Sequence, residues 1–218
     1  MTVLIATLCI GDKMRQSGEL SIAINRRYAE TRGYDFFVQR ESMDASKTPH
    51  WTKLLMLKEL LKRGHDLIFY IDCDAIVTDF SVSVESVAGG SERPLTMGNE
   101  NRDIFNERRG ENTGVMVIMN DARVPEFIDD CMLIYDKCRN SCVFEQEAVG
   151  KMLETPKWSG LWNRVPCRRM NSYFGPFATS LKKPWNLWLE GDFVMHCLRT
   201  DENFKVPVFE RMWRELLC

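Results

Sequence analysis

The chain has 218 residues, enough for one substantial core, so a single α/β domain is expected rather than two. Hydrophobic residues make up 44% and charged residues 28%, which excludes a disordered or fibrous chain. The formal net charge of −2 offers no bulk attraction to nucleic acid or to an anionic membrane, and neither partner is expected.

Val3 to Cys9 is a short continuous apolar run, as a strand covered on both faces should be, and Gly11 and Asp12 break it. It has no basic residues before it and is too short to span a bilayer, as is every later apolar stretch. A soluble, cytoplasmic chain is therefore expected. Ser21 to Arg32 reads as a helix with Ile22, Ile24, Tyr28 and Ala29 inward and Gly33 as its stop. Tyr34 to Gln39 reads as a strand. After a polar loop ending at Pro49, Trp51 to Arg63 is an amphipathic helix with Leu54, Leu57, Leu60 and Leu61 as its stripe. Leu67 to Ile71 is a buried strand that leads directly into Asp72, Cys73 and Asp74.

Further along, Pro94 to Gly98 suggests a strand, Asn99 to Glu111 a polar and mobile segment, and Val115 to Met119 a strand. Pro125 to Cys138 reads as one helix, with Phe127, Cys131, Ile134 and Cys138 on its inner face. Glu145 to Leu153 is another helix. The alternation of strands and helices predicts an α/β fold with a mostly parallel central sheet flanked by helices. The eight cysteines have irregular spacing with no CxxC pair, which favours free buried thiols in a reducing compartment over a disulfide framework or a zinc site.

Asp72 and Asp74 are the first candidates for chemistry. Ligands of open parallel sheets bind beyond the carboxyl ends of the strands. In extended chain, residues two apart face the same way, so both carboxylates are expected on one side with Cys73 on the other. Two carboxylates that close repel each other, and a divalent cation relieves the repulsion. Mn²⁺ or Mg²⁺, which pair carboxylate with phosphate oxygens, suit such a site. The plainer alternative is a polar turn after a strand. The return to apolar sequence at Ala75, Ile76 and Val77 weighs against it.

His50 to Lys53, the leucine helix, and Phe69 to Asp79 together resemble the GT-A glycosyltransferases, whose Rossmann-like domain binds a nucleotide-sugar. Within them the chain is most similar to the family of yeast Golgi galactosyl- and mannosyltransferases and plant xyloglucan xylosyltransferases. Asn112 to Ile118, Glu145 to Ala148 and Gly191 to His196 resemble further motifs of that family in the same order. The resemblance implies a nucleotide-binding half, about 1–110, and a donor-sugar and acceptor half, about 111–218. It implies metal-dependent transfer of a sugar from a UDP- or GDP-sugar to a glycan or glycoprotein acceptor, with retention of anomeric configuration. In length and in lacking an anchor the chain resembles chlorella-virus enzymes that glycosylate capsid protein.

Residue by residue, the resemblance implies Asp74 and His196 as metal ligands, with Asp72 on the metal or the ribose. Thr7, Cys9 and the turn to Gly11 would cradle the nucleoside, and Lys53 would lie near the nucleotide, with Arg199 or Lys205 as further phosphate partners. Asn112, Thr113 and Gly114 would meet the donor sugar, and Glu145 and Gln146 would lie under the anomeric carbon as catalytic groups. Two departures stand out: Phe144 occupies a position where the family often has a second Asp, and Cys197 to Asp201 replaces a Gly- and Cys-containing segment. Trp158, Trp162, Trp185 and Trp188 suit either acceptor stacking or packing. The rival readings are a haloacid-dehalogenase-type phosphatase using Asp72 and Asp74, and a non-catalytic nucleotide-sugar-binding module.

Overall fold

In a computed structural model, which describes residues 1–101 and 110–217, the apolar run near the N-terminus forms β1 (Val3–Leu8). α1 (Arg15–Arg32) carries the chain to β2 (Asp35–Gln39), and α2 (Thr52–Leu61) to β3 (Leu67–Ile71). Both β2 and β3 pair parallel to β1. The inward residues of α1 are those of the apolar pattern, Ile22, Ile24, Tyr28 and Ala29. Gly33 ends the helix at φ 69°, a conformation that costs little only without a Cβ, and its N–H returns to the Ala29 and Glu30 carbonyls.

The chain continues through β4 (Ala75–Val77), α3 (Val84–Ala88), β5 (Leu95–Asn99) and β6 (Glu111–Met119). Three helices follow, α4 (Arg123–Leu133), α5 (Tyr135–Cys138) and α6 (Glu145–Leu153). The last elements are β7 (Trp162–Pro166), β8 (Ser172–Tyr173), α7 (Pro176–Ser180), β9 (Val194–His196) and α8 (Glu202–Leu217). The helix expected from Pro125 to Cys138 is in fact two, because the chain leaves helical geometry at Ile134 (φ −100°, ψ 14°). The mobile segment expected between Asn99 and Glu111 lies, for residues 102–109, outside the described residues.

The main sheet has the order β2-β1-β3-β6-β5-β7, and β6 alone runs against its neighbours. The expectation of a mostly parallel sheet flanked by helices therefore holds. The reversal of β6 decides where the functional residues meet. It brings the start of β6, Asn112 to Gly114, beside the exit of β3, with Ile71 opposite Val115 and the Asp72 N–H on the Gly114 carbonyl at 2.8 Å. A parallel strand would carry those residues to the far edge.

Alternate residues of each strand bury on opposite faces. Leu4, Ile68, Tyr70, Met116 and Ile118 pack on the side of α2, α4 and α6. Val3, Ile5, Phe69, Ile71 and Val117 pack on the side of α1 and α3, around Tyr28 and Val84. The sequence halves interleave. A second sheet, ordered β4-β9-β8, joins Ala75 of the first half to His196 of the second. Among the described residues no helix is long and apolar enough to cross a membrane.

Candidate functional site

Between β3 and β4 the chain changes sheets, and it does so in a tight turn: the Ala75 N–H donates to the Asp72 carbonyl at 3.0 Å. This corrects the expectation that Asp72 and Asp74 converge as alternate residues of an extended strand. They converge because the turn folds them together. Cys73 also lines the cavity and reaches Cys9, and accepting the Cys73 thiol hydrogen bond draws the Cys9 thiol down to about 7 despite its burial.

β4 pairs with β9 so that Ala75 faces His196, and this register delivers the imidazole to the aspartates. His196 Nε2 lies 3.1 Å from Asp74 Oδ1, and Asp72, Asp74 and His196 each offer one ligand atom within 4.8 Å of the others. Ligands at about 2.1 Å from an octahedral ion stand about 3 Å apart as neighbours and about 4 Å apart across it. Asp72, Asp74 and His196 thus form a group that could hold a metal ion once the side chains draw in to such spacings. Gly114 makes the convergence possible: a Cβ there would collide with His196 Cε1 and stand 2.9 Å from Asp72 Oδ2.

Behind the aspartates sits an ion cluster. Lys53 Nζ is buried between Glu145 Oε1 at 2.7 Å and Asp72 Oδ1 at 3.2 Å, and donates to the Thr113 carbonyl at 3.2 Å. Burial opposes the Lys53 charge, but the two carboxylates outweigh it and raise its pKa. Burial raises Asp72, against the pull of Lys53; the Tyr70 hydroxyl also donates to this carboxylate. Burial pushes Asp74 up as well, and the net direction is down only where a charged His196 ring donates to it. Glu145 and Gln146 begin α6, where the helix dipole favours an acid. Thr113 Oγ1 donates to Glu145 at 3.2 Å, and the Thr113 N–H to Gln146 Oε1 at 3.2 Å.

These groups line one open cavity of about 570 Å³. Asp72, Asp74, His196, Lys53, Asn112, Thr113, Gly114, Glu145 and Gln146 all reach it. Thr7 and Cys9 do not. Thr7, in β1, and Cys9, just after it, are buried, and Leu8 and Ile10 line the cavity instead. Arg199 is on the cavity wall, whereas Lys205 is buried with its Nζ 2.8 Å from Met14 Sδ. Trp158 and Trp162 belong to the core; Trp188 packs edge-on against Phe174, and only Trp185 is exposed.

The structure adds residues that sequence reasoning missed. Glu100 lines the cavity and accepts from Tyr173 at 2.6 Å, Lys183 at 2.7 Å and Asn112 at 3.3 Å. Asn171 hydrogen-bonds both Asn112 and His196. Neither stands in a motif. Each is brought to the site by pairing across the sheets, so no local signal marks it. His50 and Phe144 stack at the cavity wall with ring centroids 3.8 Å apart.

Residues 2–90 match the sequence model of the galactosyl transferase GMA12/MNN10 family. The match takes in β1 through β4 and the Asp72 to Asp74 turn, and stops short of Asn112, Glu145 and His196. No curated protein matches the sequence. Among solved structures, a glycosyltransferase involved in the glycosylation of the major capsid of PBCV-1 superposes over 97% of this chain and all of its own, with TM-score 0.75 and 13% identity. The glycosyltransferase GlyE of Streptococcus pneumoniae TIGR4 superposes over the whole of this chain and 61% of its own, with TM-score 0.61 and 15% identity. At such identities the likeness is one of fold. The chain therefore has the GT-A fold of these glycosyltransferases, and over residues 2–90 it is similar in sequence to the galactosyl transferase GMA12/MNN10 family.

Proposed function

We propose that the protein is a metal-dependent glycosyltransferase that moves a sugar from a nucleoside-diphosphate sugar, a UDP- or GDP-sugar, to a glycan or glycoprotein acceptor. The convergence of Asp72, Asp74 and His196 at one point of the cavity carries this reading. Two acids and an imidazole suit Mn²⁺, or Mg²⁺ with more of its water retained. When bound, the cation would offset the negative charge that develops on the departing diphosphate.

In this reading the protein groups divide the remaining work. The β1 end supplies backbone and the Leu8 and Ile10 side chains to the nucleoside. Asn112 and Thr113 meet the donor hydroxyls, and Gly114 admits them closely. Glu145 and Gln146 face the anomeric carbon, where the carboxylate steadies the positive charge that builds as the glycosidic bond breaks. A retaining outcome is part of the proposal. Lys53 holds Glu145 in place through their 2.7 Å ion pair. The buried thiols of Cys131, Cys167 and Cys197 suit a reducing, cytoplasmic setting. The glycosyltransferase fold weighs against the phosphatase alternative.

The test is a screen of nucleotide-sugars for thermal stabilisation with and without Mn²⁺, since a ligand that binds only the folded state raises its apparent stability. One nucleotide-sugar is expected to raise Tm only with the metal. Asp74→Asn should lose that response while keeping its circular dichroism spectrum. A phosphomonoester hydrolysed faster than any nucleotide-sugar is bound would overturn the proposal.

A further inference from the structure

Asn171 is fully buried, in the tight bend between the 3-10 turn Cys167–Arg169 and β8. Its N–H donates to the Cys167 carbonyl at 2.7 Å, and its own carbonyl accepts from Cys167 Sγ at 2.9 Å, so its backbone is fixed from both sides. Its side-chain amide makes two hydrogen bonds, both to residues of the site. Nδ2 donates to Asn112 Oδ1 at 2.8 Å, and Oδ1 lies 2.8 Å from His196 Nδ1.

The direction of this chain of bonds follows from groups that can play only one part. The Gly114 N–H can only donate, and it points at Asn112 Oδ1 at 2.9 Å. The Glu100 carboxylate accepts, and Asn112 Nδ2 faces it at 3.3 Å. Asn112 therefore turns its oxygen toward Asn171. Asn171 must answer with its NH₂, which leaves its oxygen for His196. An amide oxygen accepts, so His196 Nδ1 carries the hydrogen. A neutral imidazole has one N–H, and Nε2 is left with its lone pair, 3.1 Å from Asp74 Oδ1. A lone pair facing a carboxylate oxygen is unfavourable unless a cation stands between them.

We infer that Asn171 is a positioning residue that holds His196 in its Nδ1–H tautomer, so that Nε2 is ready as a ligand for the divalent cation. The inference rests on the metal-dependent reading above. Without Asn171 the imidazole is free to take the other tautomer. Nε2–H then donates to Asp74, and a cation has to break that hydrogen bond to bind. The same amide tethers His196 to Asn112, so the cation ligand and the proposed sugar-binding strand end share one support. Groups behind a metal-bound imidazole typically change metal affinity by about 10- to 100-fold.

The test is Mn²⁺ affinity, read from the electron paramagnetic resonance signal of the free ion, with no substrate and no turnover. Asn171→Leu keeps the branched heavy-atom skeleton and removes both hydrogen bonds; it should weaken Mn²⁺ binding by about 10- to 100-fold. Asn171→Asp restores an acceptor for His196 Nδ1 and should bind Mn²⁺ within a few-fold of wild type, although a buried carboxylate is the harsher change for folding. A residue that merely fills space gives the opposite order. Equal Mn²⁺ affinity in wild type and Asn171→Leu overturns the inference and leaves the metal reading intact. No Mn²⁺ binding by wild type, with or without UDP, overturns the metal reading itself. A second measurement needs no variant: ¹⁵N–¹H correlation of the wild-type imidazole in EDTA should show hydrogen on Nδ1 of His196, and hydrogen on Nε2 of the neutral ring sinks the inference.

Discussion

Lys53 Nζ stands 2.7 Å from Glu145 Oε1, and both side chains are almost wholly buried. The lysine also meets Asp72, so one ammonium serves two acids. Removing it strands the Glu145 carboxylate away from water and leaves Asp72, at the cavity wall, without its ammonium. Breaking a buried pair in this way typically costs about 3–5 kcal/mol. Lys53→Met should destabilise the protein by that order in urea denaturation, and Glu145→Gln in the same chain should recover part of the loss. A single variant as stable as wild type would contradict the cluster.

Gly114 has no room for a side chain. A methyl at its Cα meets His196 Cε1 and Asp72 Oδ2, two of the three proposed ligand groups. Gly114→Ala should cost about 1–3 kcal/mol from overpacking, and it should abolish Mn²⁺-dependent stabilisation by nucleotide-sugar. Chemical denaturation and the thermal screen read the two effects separately. Full retention of the metal response would show that the strand end is not confined as described.

Asp192 ties the loop before β9 to the turn before β8. Its carboxylate takes Arg168 at 2.8 and 3.0 Å, Ser172 Oγ at 2.9 Å and the Leu189 N–H at 2.9 Å. Burial pushes its pKa up, but these donors outweigh it and the net direction is down. A depressed folded pKa means that the unfolded chain binds the proton more readily. The contribution is therefore complete above the unfolded value, about 3.9, and is lost as pH falls through the folded one. Asp192→Asn should lower stability by about 1–3 kcal/mol at neutral pH and flatten the decline of Tm below about pH 4. An unchanged acid limb in the variant would rule out this source.

Phe144 sits at φ 50°, ψ −122°, a conformation that L side chains rarely adopt, while its ring stacks on His50. Such backbone strain costs about 1–3 kcal/mol, and an aromatic stack gains about 0.5–1.5 kcal/mol. Phe144→Ala keeps the strain and loses the stack, whereas Phe144→Gly loses the stack and relieves the strain. The glycine variant should be more stable than the alanine variant by about 1 kcal/mol. The reverse order in calorimetry would mean that the backbone is relaxed.

Local order carried much of the reading. The leucine stripe of α2, the Gly33 stop and the apolar run into Asp72 are each set by near neighbours, and all stand where the sequence puts them. Local pattern does not separate the two sides of the chain at the end of β1, where Leu8 and Ile10 rather than Thr7 and Cys9 line the cavity, and of the two roles left open for Trp158 and Trp162 the structure shows packing. Asp72 and Asp74 were legible as a pair, but the turn that joins them was not, because it exists to move the chain from one sheet to the other.

By itself the sequence determined β1, α1, β2, α2, β3 and the two carboxylates that follow, since periodicity and capping act over a few residues. Only the tertiary structure decided the direction of β6, the pairing of Ala75 with His196, and the arrival of Glu100 and Asn171 at the cavity. Asp74 and His196 are 122 positions apart, and which distant backbone edge a strand pairs with depends on sheet register and packing that no local pattern records.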